Sequence, residues 1–290
     1  MTELKCVWEI PAILGEGPLW VERENALYWV DVVGKQVHRL SLADQARKSW
    51  PFETEVTSLA VRKSGGFIGT TRHGFAFFDF DRGEFKPISS HETDLPGNRF
   101  NDGKADAHGR FWAGTVDEAG WKSETGSLYR LDSDLSVRKI ESGYICSNGP
   151  AFSADNKTFY HTKTMKGTVY AFDFNAKGEI SNKRPFVKLG EGQGFPDGMT
   201  VDAENCLWVC QFGGGRVTRF SPEGKVLQVV TMPVPNVTSC TFGGRDLDTL
   251  YITTARYFMS PEAIAQYPLA GSLFSCKPGV QGLPTFSFGG

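Results

Sequence analysis

The chain has 290 residues and a formal net charge of −2, so there is no basic surplus to neutralise a phosphate backbone and nucleic-acid binding has no electrostatic support. Its 40% hydrophobic and 22% charged content fits an ordinary soluble globular protein, and 33 Gly with 15 Pro imply many tight turns, which suit short strands better than long helices. No stretch approaches the roughly 18 apolar residues of a membrane span. The segment from Met1 to Leu14, with Glu3, Lys5 and Glu9, lacks the apolar run of a signal peptide. The six cysteines form no C-x-x-C pair and read as reduced thiols, so a cytoplasmic protein is expected.

One pattern recurs from end to end. A polar turn leads into a short apolar strand, then a Thr-, Asp- and Gly-rich loop, then a second strand. The first strands run Ala26 to Val30, Gly66 to Gly69, Arg110 to Gly114, Thr158 to His161, Cys206 to Val209 and Thr249 to Thr253. The second strands run Gln36 to Leu40, Gly74 to Phe78, Gly126 to Arg130, Gly167 to Ala171, Arg216 to Phe220 and Gly271 to Ser275. Six units spaced roughly 40 to 48 residues apart match the period of four-stranded propeller blades. The expected fold is therefore all-β: a six-bladed β-propeller, one domain over residues 1–290. A β-sandwich or an open array is the alternative, and six similar units without a capping unit favour a closed ring. The leftover strands Leu4 to Ile10 and Pro284 to Phe288 are expected to share one sheet and so remove the free edges. The best helix candidate is one short turn at Ser260 to Ala265, where Ser260-Pro261-Glu262 reads as an N-cap followed by Pro.

Four segments are polar where the repeat calls for apolar or neutral residues: Leu14-Gly15-Glu16-Gly17-Pro18, Asn98-Arg99-Phe100-Asn101-Asp102-Gly103-Lys104, Ser147-Asn148-Gly149-Pro150 and Pro196-Asp197-Gly198. Each alone is ordinary turn chemistry. Together they repeat one device: an oxygen-bearing side chain near a glycine at the mouth of a blade's innermost strand. A propeller aims such residues at its axis. Glu16, Asn101, Asn148 and Asp197 would then supply mainly oxygens, a set that suits hard cations such as Ca²⁺, Mg²⁺ or Mn²⁺. Arg99 and Asn101, two apart, share one face of an extended segment.

At these residues the chain resembles the gluconolactonase and regucalcin (senescence marker protein) family of sugar lactonases, over essentially its whole length. The resemblance implies that Glu16, Asn148 and Asp197 ligate one divalent metal ion (Ca, Zn, Mn, Mg or Fe), and that Arg99 and Asn101 bind the lactone. Two departures stand out. An acidic substrate contact of some members falls on Ala119, with Glu118 the adjacent candidate. Lys163 stands where many members carry Asp, and is expected to contact an anionic substituent such as a sulfo, phospho or carboxy group.

The resulting expectation is metal-dependent hydrolysis of an aldonolactone, with the metal as Lewis acid and Asp197 as general base. No G-x-S-x-G elbow occurs, which argues against an α/β-hydrolase. The rival readings are a phosphotriesterase-type propeller and a non-catalytic calcium-binding or interaction propeller. The expected partner is a small sugar lactone, with no nucleic acid, no membrane, and a monomer or weak homo-oligomer.

Overall fold

A computed structural model describes residues 3–290. They form six four-stranded antiparallel sheets arranged as the blades of a ring. Blade one comprises Gly15–Val21, Ala26–Asp31, Gln36–Ser41 and Arg47–Pro51, from the axis outward. The innermost strands of the next five blades are Val56–Val61, Asn98–Ala105, Ser147–Phe152, Phe195–Val201 and Val237–Gly243. The apolar strands that mark the repeat in the sequence are thus the second and third of each blade. The innermost strands are the segments that precede them, polar and glycine-containing in blades one, three, four and five but glycine-free in blade two.

The physical reason lies in burial. Ser147–Phe152 and Val56–Val61 are buried at every position, so they show no in-out alternation. The outermost strand Val226–Thr231 is largely exposed. Six apolar clusters fill the spaces between neighbouring blades, and each draws on two of them. Val21, Tyr28 and Val37 of blade one meet Leu59, Phe67 and Phe78 of blade two. Between blades six and one, Trp8, Tyr251 and Leu273 pack on Trp20, Leu27 and Trp29. A continuous set of clusters is what a closed ring requires.

Closure comes from the N-terminus. Strand Lys5–Trp8 pairs antiparallel with Leu273–Cys276 as the outer strand of the last blade. The segment Pro284 to Phe288 does not join that sheet, contrary to expectation. It crosses the downstream ends of the innermost strands, where the Phe288 N–H donates to Val61 O (2.8 Å) and the Gly289 N–H to Gly109 O (2.9 Å). Gly282 bridges Asp202 on the other side. Leu283, Pro284, Thr285 and Phe286 line the lower tunnel together with residues of all six blades. The tail caps the tunnel with Leu283 and Phe286 half-buried. Phe288 is fully buried. Phe288→Ala is expected to cost about 3–5 kcal/mol, the usual range for a buried phenylalanine, seen as a lower denaturant midpoint. Turnover at the opposite end of the strands should stay within about twofold.

Among the described residues the single α-helix is Pro261–Gln266. The Ser260 hydroxyl caps it, accepting from Ala263 N–H at 3.2 Å. Among the described residues no helix is long and apolar enough to cross a membrane.

Candidate active site

Every innermost strand is bulged at one level. In blade one Glu16 pairs with Val30 and Leu19 with Tyr28, so Gly17 and Pro18 together oppose Trp29. The same shift lies between Phe100 and Gly103, Asn148 and Ala151, and Pro196 and Met199. A bulge bends the strand and re-aims the side chains beside it. Gly17 and Gly149 supply the left-handed backbone this needs, at φ 52° and 78°. Gly198 is glycine for another reason: a Cβ there would lie 2.2 Å from Ser239 Oγ of the next blade. Blades two and six are bulged at the same level but carry Thr57 and Thr238, whose hydroxyls bond Thr70 Oγ1 (2.7 Å) and Gly15 O (2.6 Å).

The four oxygen-bearing residues of blades one, three, four and five meet. Glu16, Arg99, Asn101, Asn148 and Asp197 line one cavity of about 380 Å³, and all five are buried. Arg99 organises one side. Its Nε donates to Glu118 Oε1 (2.8 Å), and its Nη1 donates to Phe100 O (2.9 Å) and Asn101 Oδ1 (2.7 Å). With its oxygen so held, Asn101 turns its amide nitrogen to Ser147 O (3.0 Å) and Asn148 Oδ1 (2.8 Å). Asn148 in turn donates through Nδ2 to Thr164 Oγ1 at 3.0 Å and Cys146 Sγ at 3.5 Å. The amide of Asn148 is therefore fixed end for end, and its oxygen keeps a free lone pair.

The two carboxylates are treated differently from other buried acids in the molecule. Asp106 accepts from the backbone N–H groups of His108 and Arg110, from Arg110 Nε and from Trp112 Nε1. Asp202 accepts an equivalent set ending on Trp208 Nε1 and Arg219 Nε. Glu16 receives only the Gly17 N–H, at 3.3 Å. Burial, then the charges of Asp197 and Asp102, push the Glu16 carboxyl well above the ordinary range. Burial and Asp102 do the same to Asp197. Asp102, also buried, is raised to about 6 by burial, against the pull of Lys104. Glu16 and Asp197 line the cavity and Asp102 the tunnel below it, and the nearby cations Arg99 and Lys104 offset their mutual repulsion only in part.

This donor set fits a hard divalent cation. Such an ion would supply the charge that Glu16 and Asp197 lack and would take the spare lone pair of Asn148. No cluster of three or more His, Cys, Asp or Glu side chains able to hold a metal occurs among the described residues. The set is instead two carboxylates and an amide oxygen. The Cys146 thiol nearby is pushed to about 12 by burial and by Asp197, so it remains a neutral thiol.

The remaining candidates sit elsewhere. Glu118 does not face the cavity: Arg99 holds one of its oxygens and Arg72 Nη1 the other (2.9 Å). Burial raises its carboxyl, but the two guanidiniums outweigh that and hold it below its usual range. Ala119 is tied back to Gly97 O. Lys163 lies outside the cavity, with its Nζ donating to Gly143 O (2.8 Å) above the Tyr144 ring. Sequence reading overlooked Asp102, which in Asn101-Asp102-Gly103 passes for turn chemistry but is buried inside the strand Asn98–Ala105. It also overlooked an apolar wall above the polar floor, formed by Trp121, Met165, Phe195, Phe212, Tyr257 and Phe258. Those residues come from loops and strand ends of separate blades, and no spacing marks them.

Fold and cavity together define a six-bladed propeller that gathers carboxylate, amide and guanidinium groups on its axis. The chain belongs to the SMP-30/Gluconolactonase/LRE-like family, which residues 14–256 match. It is 38% identical to regucalcin of Oryctolagus cuniculus and 36% identical to the 6-deoxy-6-sulfogluconolactonase of Pseudomonas putida, in both cases over 99% of each chain. Its structure superposes on the calcium-binding protein regucalcin of Agrobacterium tumefaciens with a TM-score of 0.94 at 25% identity, covering 99% of this chain and 97% of that one.

Proposed function

We propose that the protein hydrolyses a sugar (aldono) lactone to the aldonic acid, using one divalent metal ion held by Glu16, Asn148 and Asp197. The observation that carries this reading is the pair of buried carboxylates, Glu16 and Asp197, that share a cavity with one backbone N–H apiece, where the buried Asp106 and Asp202 accept from backbone, arginine and tryptophan donors together. A cation bound there supplies Lewis acidity toward the lactone carbonyl. The protein's own part follows from the contacts. Arg99 Nη2, which has no protein partner among the described residues, is free to orient a lactone oxygen. Asn101 keeps the Asn148 oxygen turned to the axis. Asp197 takes a proton from the attacking water as its OH adds to the carbonyl carbon. The acyl–oxygen bond then breaks and the ring oxygen takes up a proton.

The test is chelation. Stripped protein should release no protons from glucono-δ-lactone, and at least one of Ca²⁺, Mg²⁺, Mn²⁺, Zn²⁺ or Fe²⁺ should restore turnover. Full activity after exhaustive chelation would sink the metal assignment. Tight metal binding without turnover of any lactone would leave a calcium-binding propeller, and faster turnover of a phosphotriester would move the chemistry to phosphorus. The blades act as one domain in this reading. Six free thiols, five of them buried, support a reducing, cytoplasmic setting.

The similarity to a 6-deoxy-6-sulfogluconolactonase supports an anionic substituent on the sugar. Lys163 is already committed to Gly143 O, so a substrate anion would have to draw it away from that bond. If it does, Lys163→Ala raises KM for the 6-sulfo lactone by about tenfold more than for gluconolactone, the scale of one charge-assisted contact. Equal changes assign Lys163 to the surface.

A further inference from the structure

The polar floor accounts for the reaction but for only half of the cavity. Above it, Trp121, Met165, Phe195, Phe212, Tyr257 and Phe258 present an apolar wall. Its members touch: the Tyr257 and Phe258 rings lie 4.1 Å apart, Trp121 meets Phe258 edge-on at 5.5 Å, and Phe212 meets Phe258 at 6.5 Å.

Two independent observations say that this wall is built for contact. The first is exposure. Phe258 is 67% exposed, Phe195 42% and Met165 39%, so three of the eight large hydrophobic side chains exposed among the described residues stand on this one rim. Clustered exposed apolar surface marks a binding site, whereas scattered residues mark nothing. The second is backbone strain. Trp121 and Phe258 hold φ of 55° and 62°, and among the described residues they are the only aromatic ones in the left-handed region. Bulky side chains avoid that conformation, and it persists where the surroundings over-determine it.

The surroundings do so here. Asp117 Oδ2 accepts from Lys122 N–H (3.1 Å) and Ser123 N–H (2.8 Å), and Trp121 N–H returns to Asp117 O (3.1 Å). Across the mouth, Asn236 Nδ2 holds Tyr257 O (2.9 Å), and Arg256 is pinned by Ala270 O (2.8 Å) and Pro268 O (3.0 Å). The backbone that carries these rings is therefore held in advance, which spares a ligand the entropy of ordering it.

A free aldonolactone gains little from such a wall. It carries hydroxyls around its ring, and those turned upward would exchange water for phenyl carbon. A lactone with an aryl or alkyl substituent meets both halves of the cavity at once: the ester on the floor and the substituent on the wall. We propose a further activity on this ground, the hydrolysis of hydrophobic, aryl- or alkyl-bearing lactones, with Trp121 and Phe258 as the residues that select the substituent. The chemistry is that of the proposed lactonase and rests on it: water adds across the acyl–oxygen bond, the hydroxyl going to carbon and the hydrogen to the ring oxygen.

The test compares glucono-δ-lactone, δ-valerolactone, a 5-alkyl series and 5-phenyl-δ-valerolactone on the metal-loaded protein. Turnover expressed as kcat/KM should rise by up to about fourfold for each added methylene that is buried, and the phenyl lactone should exceed its parent by tenfold or more. Trp121→Asn and Phe258→Asn keep a residue that accepts the left-handed backbone. Each should lower kcat/KM for the phenyl lactone at least tenfold more than for δ-valerolactone. Calorimetric titration of the metal-free protein with the phenyl lactone should show the same loss of affinity without any catalysis. A flat series, or variants that lower both lactones equally, overturns the inference while gluconolactone turnover leaves the lactonase reading standing. No turnover of any lactone overturns both.

Discussion

Asp197→Asn is expected to lower kcat/KM for an aldonolactone by about 10² to 10⁴-fold, the range for loss of a positioned general base, and to raise the Tm of the metal-free protein. The second half of this result is the more telling. Replacing a residue retained for stability lowers the Tm, whereas a buried acid whose burial and acidic neighbours outweigh the Gly198 N–H and Arg99 is a burden the apoprotein carries for its function. Asn has the same shape and no charge, and would relieve the repulsion among Glu16, Asp102 and Asp197. Each kcal/mol relieved is worth about 2 to 4 °C in a chain of this size.

The pH dependence follows with a definite sign. In the metal-free fold Glu16 and Asp197 keep their protons to higher pH than in the unfolded chain, and Asp102 does so up to about 6. The folded state then binds more protons than the unfolded one. Stability of the apoprotein must fall as pH rises from the ordinary carboxylate range through these raised values. A cation needs the charged forms, so its binding releases protons and weakens as pH falls. Calorimetry between pH 5 and 8, with chelator and with metal, reads both slopes. An Asp197→Asn protein that is fully active, or one whose metal-free form melts lower than the parent, removes Asp197 from the site.

Arg99→Lys should cost about 10- to 100-fold in metal affinity and in kcat/KM, although the charge is kept, because supporting contacts to a metal ligand are typically worth that much. Arg99 spans three acceptors in one plane: Glu118 Oε1, Phe100 O and Asn101 Oδ1. A lysine ammonium reaches one of them as a point charge. Asn101 would then be free to rotate, and its bond to Asn148 Oδ1 would no longer fix the amide. The effect should divide between Kd for the metal and KM for the lactone, with the fold intact. Arg72→Lys is the control, since Arg72 touches Glu55 and Glu118 and does not line the cavity. Equal effects of the two substitutions would reduce Arg99 to a structural ion pair.

The architecture was legible because each blade repeats the same local decisions. Ala26 to Val30 and its counterparts alternate or run apolar, end in glycine or polar turns, and recur at the blade period. The innermost strands were not legible as strands. Glu16-Gly17-Pro18 and Asn148-Gly149-Pro150 carry turn residues, and only the ring shows that those residues shape bulges within a strand buried on both faces. Their polarity nonetheless pointed to the axis, since an isolated glutamate, asparagine or aspartate beside glycine has no reason to recur at one position of a repeat. Neighbourhood in the chain suggested Glu118, which is spent between two arginines, while Lys163, singled out by its departure from the family pattern, rests on Gly143 O.

The amino-acid sequence by itself determined the number of blades, the closed ring, and that Glu16, Asn101, Asn148 and Asp197 line one cavity, because these depend on periodicity and residue type, which are local. Tertiary structure alone decided that the last residues plug the tunnel instead of joining a sheet. It alone decided that Asn101 gives its nitrogen to Asn148 while Arg99 takes its oxygen, and that Trp121 and Phe258 stand together at the mouth. Each of these depends on which side chains from distant blades compete for the same few ångströms, a contest that no single segment records.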